Sequence, residues 1–167
     1  MIRYFAAAMI LVLTAGCNKG GAPEDAQRLA GLLKGDANGA TNPMCKLFSV
    51  REASAYAGIS LNPGTTVVMG TGCQWGTGRG VGVVMISAAP IADADHPSHA
   101  PHFRELPELG KGAYVDADKG VYVGADIAGW SASAPQGKQF VSVMVVGPNA
   151  SEKTAIALIN ETLKRRQ

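Results

Sequence analysis

The chain has 167 residues, of which 47% are hydrophobic and only 17% are charged. This length is enough for one domain with its own hydrophobic core and short for two. The formal net charge is +2, and the one basic cluster, Lys164-Arg165-Arg166, closes a predicted helix, where cations complement the helix dipole. We therefore expect a single globular domain and no nucleic-acid partner, because nucleic-acid binding requires a clustered basic surface.

The first 17 residues have the pattern of an export signal. Arg3 supplies a positive charge, and residues 4–13 form an apolar run that is too short for a membrane-spanning helix, which needs about 20 residues. The run ends in Leu13-Thr14-Ala15-Gly16-Cys17, and small residues before a cysteine resemble the lipobox of bacterial lipoproteins. That resemblance implies cleavage of residues 1–16 as a signal peptide and attachment of a diacylglyceryl group to Cys17. The alternative is an ordinary secretory signal with an incidental cysteine.

A protein anchored through Cys17 lies at the bacterial cell envelope and faces the periplasm or the cell exterior. Two acyl chains hold a protein stably to a membrane, where a single chain is marginal. In lipoproteins of double-membrane bacteria, Asp after the cysteine retains the protein at the inner membrane. Asn18 stands at that position, which favours the outer membrane if the host has both. Residues 17–42 are predicted to be a tether that contains a short helix, and residues 43–167 to be the globular domain.

Two further cysteines, Cys45 and Cys73, remain for the folded domain. An even number of cysteines in an oxidising compartment favours one disulfide. Free buried thiols and a metal pair are the alternatives, although two distant cysteines without a Cys-x-x-Cys spacing make a poor zinc site.

The pattern of the domain is helix, strands, helix. Ser49 and Glu52 have the spacing of a capping box at the start of a helix that Gly58 ends. A second helix is predicted from Ser151, with an apolar stripe that includes Ala155 and Ile159. Between them, apolar and β-branched runs predict strands at 65–69, 73–75, 81–87, 113–115, 121–125 and 139–146, and residues 130–133 are expected to prolong a strand.

The fold class that follows is α+β, with a mostly antiparallel sheet of about six strands covered on one face by helices. The glycine loop at residues 76–80 is interpreted as a hairpin turn, because a strand follows where a nucleotide-binding motif requires a helix. Residues 116–120 are interpreted as a second turn. Asp116 and Asp118 have the spacing of calcium ligands, but the rest of a calcium-binding loop is missing.

Three short motifs resemble a group of small bacterial lipoproteins of unknown function, found in actinobacteria and proteobacteria. The first is Cys45-x-Leu47 with the Ser49 cap, Glu52-Ala53 and the closing Gly58. The second is Cys73-Gln74-Trp75, and the third is Leu109-Gly110-x-x-Ala113-Tyr114, in which Glu108 replaces a glycine. The resemblance covers most of residues 43–165. It implies the α+β fold and the disulfide, and it says little about activity.

The three histidines, His96, His99 and His102, lie within seven residues of one another. Imidazole ligands suit zinc or copper, so a metal site in this loop is a hypothesis. Pro97 and Pro101 disfavour a helix, and in an extended conformation residues three apart are about 9 Å apart along the chain. The alternative is an exposed loop between strands, without a metal.

No nucleophile elbow, zinc-protease motif or Walker loop is present in the sequence. The sequence therefore predicts a membrane-anchored, non-catalytic envelope lipoprotein that needs no cofactor and binds a protein partner or a small ligand. A periplasmic protein that binds zinc or copper through His96, His99 and His102 is the alternative. A hydrolytic enzyme whose site forms only in the folded chain is a third hypothesis.

Overall fold

The computed structural model describes residues 39–67, 71–78, 82–93, 102–118 and 129–167, and these segments hold two α-helices and seven β-strands. The helices are α1 (Val50–Ala57) and α2 (Glu152–Arg165). The strands are β1 (Thr65–Thr66), β2 (Gly72–Gly76), β3 (Val83–Pro90), β4 (Arg104–Glu105), β5 (Tyr114–Asp118), β6 (Gly129–Gln136) and β7 (Gln139–Val146). Three short 3-10 turns lie at Pro43–Lys46, Ile91–Asp93 and Pro107–Leu109.

All seven strands form one antiparallel sheet in the order β1-β2-β3-β7-β6-β5-β4. Two meanders, β1–β3 and β4–β7, meet where β3 pairs with β7 along their whole length, from Val83 opposite Val146 to Pro90 opposite Gln139. The predicted α+β fold with an antiparallel sheet is therefore confirmed, with seven strands in place of about six.

Both helices pack on the same face of the sheet. Strand alternation directs Val84 and Ile86 of β3, and Val143 and Val145 of β7, to this face, and none of the four is more than 1% exposed. α1 contacts β3 and β7, and α2 contacts β5, β6 and β7. Burying the apolar side of the sheet under two amphipathic helices creates the main hydrophobic core.

Local capping defines the ends of α1. The Ser49 hydroxyl accepts a hydrogen bond from the Glu52 amide, and the Glu52 carboxylate accepts one from the Ser49 amide at 2.7 Å. The helix ends at Gly58, whose φ of +74° is the left-handed conformation that favours glycine. These contacts confirm the capping box. α2 likewise begins after Ser151, whose hydroxyl accepts from the Thr154 amide.

Strands β4 and β5 differ from the prediction. β4 has only two residues, Arg104 and Glu105, both exposed, so no apolar pattern marks it. β5 continues through Asp116 to Asp118, where the sequence predicted a turn, because pairing with residues 129–133 of β6 continues the strand. The predicted strand at 121–125 lies outside the described residues, as does the predicted helix of the tether.

The domain makes contacts upstream of residue 43. The Gly39 amide donates to the Gly64 carbonyl at 3.1 Å, and the buried Asn42 side chain donates to the Gly72 carbonyl at 2.8 Å. The segment 39–42, predicted as the end of the tether, is thus attached to the edge of the sheet near β2.

Arg165 joins the end of α2 to the start of α1. Its guanidinium contacts the Glu52 carboxylate at 2.8 Å and Glu161 at 2.7 Å, and it lies 4.3 Å from the centre of the Phe48 ring. The hydrogen bond from Arg165, together with those from Ser49, lowers the pKa of the Glu52 carboxyl from 4.5 to about 2.

This lowered pKa predicts a pH-dependent contribution to stability. Because the folded state favours the ionised Glu52, its contribution is fully present above pH 4.5 and is lost as the pH falls through about 2. A Glu52→Gln variant is therefore expected to be less stable than the parent at pH 7, and the difference in the free energy of unfolding should shrink to a small remainder near pH 2, as measured by urea unfolding. Glu108→Gln, at an exposed position without a described ion pair, is the control. A stability difference between Glu52→Gln and the parent that is as large at pH 2 as at pH 7 would contradict the prediction.

Candidate functional site

The predicted disulfide is present between Cys45 and Cys73, with their Cα atoms 5.0 Å apart. Cys73 lies on β2 and is fully buried, whereas Cys45 lies in the 3-10 turn before α1 and is half-buried. The bond therefore ties the start of α1 to the sheet. It is a structural element, and it lies at one wall of a groove of about 330 Å³ that Phe48 and Trp75 also line.

Of the three candidate metal ligands, only His102 lies in the described part of the chain. It is exposed, and its ring centre is 6.2 Å from that of Trp130. His96 and His99 fall outside the described residues. Among residues 39–67, 71–78, 82–93, 102–118 and 129–167, no group of three metal-ligating side chains comes together. The metal hypothesis stays a prediction, which calorimetry with zinc and copper before and after replacement of the three histidines tests.

Asp116 lies on the face of the sheet opposite the helices. It is 8% exposed and accepts a hydrogen bond from the Ser131 hydroxyl on the neighbouring strand. Two residues further along β6 on the same face, the Ser133 hydroxyl donates to the Ser142 hydroxyl of β7 at 2.8 Å. Because these buried polar groups have partners within the sheet, their arrangement is explained by hydrogen-bond satisfaction.

A groove of about 390 Å³ opens between the two helices. We call it the interhelical groove, and it is lined by Ala55, Tyr56, Asn149, Lys153, Thr154 and Ala157. The groove stays open because Ala55 of α1 and Ala157 of α2 place only methyl groups where the two helices face each other.

Hydrogen bonds hold one end of the interhelical groove in shape. The Asn149 side chain donates to the Ala55 carbonyl at 3.1 Å, and the Asn149 amide donates to the Ala57 carbonyl. The Thr154 hydroxyl in turn donates to the Asn149 carbonyl at 2.8 Å. The loop before α2 is thereby fastened to the end of α1, so the groove is formed before any ligand arrives.

The floor of the groove is apolar and its rim carries one charge. The Tyr56 ring packs edge-on against Phe48 with ring centres 5.8 Å apart, and burial raises the pKa of its phenol above the usual value of 10. Tyr56 therefore stays neutral at physiological pH. Lys153 is the one charged side chain in the lining and is exposed.

These properties define what the groove can do chemically. Its lining contains no carboxylate, imidazole or thiol, and its polar side chains are those of Tyr56, Asn149, Lys153 and Thr154. An apolar floor with a cation at the rim suits a ligand that presents a small apolar group and an acidic group.

Comparison with protein-family models, with curated proteins and with solved structures finds no match to this chain. No helix in the described segments is long and apolar enough to cross a membrane.

Sequence reasoning missed the interhelical groove. Its lining comes from α1, from the loop at Asn149 and from the first turns of α2, and most of these residues are small or uncharged. No motif connects them, and the predicted apolar stripe of α2 concerned only the side that packs on the sheet. Pairing of the two helices on one face is what creates the site.

Proposed function

We propose that this protein is a non-catalytic lipoprotein of the bacterial cell envelope, anchored through lipid on Cys17, that binds a partner protein or small ligand in the interhelical groove. The observation that carries the binding proposal is the preformed groove with an apolar floor and the single cation of Lys153. The Cys45–Cys73 disulfide supports the location, because such bonds persist in oxidising compartments outside the cytosol.

The ligand chemistry follows from the groove. Two alanine methyl groups and the Tyr56 ring favour a small apolar group, and Lys153 favours a carboxylate nearby. An acidic segment of an envelope protein and a small carboxylic acid share this chemistry. Cross-linking in native membranes detects the former, and native mass spectrometry of the purified protein detects the latter.

A substitution that fills the groove is expected to abolish binding. Ala157→Trp places a large side chain between the helices, whereas Asn160→Trp places the same side chain at an exposed position of α2 outside the lining. Cross-linking from native membranes should lose its specific product only with Ala157→Trp. Lys153→Glu should weaken binding on the order of tenfold, which corresponds to about 1.4 kcal/mol. Equal recovery of the product from both Trp variants would show that the ligand binds elsewhere.

The anchor is tested by Cys17→Ala. Without the sulfur that receives the diacylglyceryl group, the chain is expected to lose lipid labelling and to be released from the membrane fraction. The Cys45–Cys73 bond should still form, as judged by thiol labelling under denaturing conditions, because Cys17 takes no part in it. A Cys17→Ala protein that still incorporates labelled lipid would contradict anchoring through this residue.

A further inference from the structure

One end of the domain collects cations from three separate parts of the sequence. Here α1 begins, α2 ends and the β6–β7 turn lies beside them, because Arg165 donates to the Leu47 carbonyl at 2.5 Å and Arg166 donates to the Gln139 side chain at 2.7 Å. We call this end the basic end. Its cations are Lys46, Arg51, Lys138, Lys164, Arg165 and Arg166.

Most of these charges have no partner within the described domain. Arg165 binds both Glu52 and Glu161, the carboxylates that the two helices carry at this end. Lys46, Arg51, Lys138 and Lys164 are exposed, and no ion pair joins them to another described residue. Among the described side chains, the basic end therefore carries an excess of positive charge.

An exposed apolar side chain accompanies the cations. Ile91 is 45% exposed, the one large hydrophobic residue of the described segments that is exposed to this degree. Its amide donates to the carbonyl of Lys138, which places it beside the β6–β7 turn. Cations around an exposed aliphatic side chain match the interfacial region of a bilayer, where apolar groups enter between charged headgroups.

The predicted tether joins the domain close to this end. Gly39, the first described residue, lines the same groove as Lys46, the residue that precedes Leu47. Gly39 lies only 22 positions after Cys17, and even a fully flexible coil of that length would have a root-mean-square span of about 26 Å. This span is comparable to the size of a domain whose radius of gyration is about 14 Å. Lipid on Cys17 would therefore keep the basic end near the membrane surface.

We infer that the basic end is a membrane-contacting face, which binds anionic phospholipid headgroups and orients the domain on the bilayer. The inference rests on the proposed lipid anchoring for its geometry. In this orientation α2 runs away from the membrane, and Lys153 in its first turn lies up to about 16 Å further from the bilayer than Lys164. The interhelical groove, at the far end of α2, thus opens toward the aqueous compartment, where a partner can reach it.

Lysine labelling of the full mature protein tests this face. The protein is purified from cells, mixed with phosphatidylcholine vesicles with or without roughly 30% phosphatidylglycerol, and treated with an amine-reactive reagent. Lys46, Lys138 and Lys164 should react several-fold more slowly on the anionic vesicles, while Lys153 reacts at the same rate on both. About 1 M salt should remove the protection, because it shortens the screening length to about 3 Å. Uniform rates for all four lysines would overturn the inference.

Two double variants distinguish an effect of positive charge on lipid binding from an effect of the altered side-chain structure. Lys46→Gln combined with Arg51→Gln removes two cations and should weaken binding to anionic vesicles by roughly fivefold for each, so that protection at Lys138 and Lys164 falls. Lys46→Arg combined with Arg51→Lys conserves the charge and should retain the protection. Loss of protection in both variants, or in neither, would contradict an electrostatic contact.

The mass of the N-terminal peptide in the same sample shows independently whether diacylglycerol is attached to Cys17. A peptide without diacylglycerol would contradict the proposed lipoprotein, whereas the labelling pattern still decides whether the basic end binds anionic lipid. The two failures are therefore distinguishable.

Discussion

Reduction of the Cys45–Cys73 disulfide is expected to lower the free energy of unfolding by about 3.5 kcal/mol, since the bond closes a loop of 28 residues. Opening the loop returns conformational entropy to the unfolded chain. The bond also fixes the start of α1 to β2, so the reduced protein should lose α1 packing first. Urea unfolding followed by circular dichroism, with and without reductant, measures the effect.

The control for reduction is the double variant Cys45→Ala/Cys73→Ala. It should unfold at a lower urea concentration than the oxidised parent and should be insensitive to reductant. A parent protein whose unfolding midpoint does not move on reduction, with complete reduction verified by mass, would show that the native contacts around Cys45 hold this segment without the bond.

Replacement of Trp75 by Ala is expected to cost about 3–5 kcal/mol, the usual range for removing a large buried aromatic side chain. Trp75 is 1% exposed, and its ring lies edge-on to Phe48 with ring centres 6.4 Å apart. The backbone of Gly64 approaches so closely that a Cβ there would lie 2.8 Å from the indole nitrogen. Because Trp75 of β2 packs against Phe48, just before α1, and against Gly64 in the loop before β1, its loss leaves a cavity that cannot readily collapse.

Trp130→Ala is the matched comparison for Trp75→Ala. Trp130 is only half-buried at the edge of the core, so its truncation should cost about 1–2 kcal/mol. Circular dichroism is the appropriate measurement, because each variant also removes a fluorophore. Equal losses for the two variants would mean that the core near the disulfide relaxes around the missing ring, contrary to expectation.

The helices were predictable because their signals are local. Ser49, Glu52 and Gly58 are close in sequence, and the hydrogen bonds that they make join side chains and backbone groups within one helix and its caps. The strands were predicted less well where hydrogen bonding to a neighbouring strand outweighs the local preference of the residue types. Asp116 and Asp118 are typical of turns, yet β6 pairs with this segment and keeps it extended.

The sequence by itself determined the α+β class and the caps of α1, and it favoured a disulfide between Cys45 and Cys73. These follow from periodicity, capping chemistry and cysteine number. Lipidation of Cys17 is a prediction from the sequence motif alone. Only the tertiary structure decided that β3 and β7 join the two meanders, that α1 and α2 leave the interhelical groove between them, and that distant cations gather at the basic end. Each of these depends on contacts between residues far apart in the chain, and such contacts leave no periodic pattern or motif in the sequence.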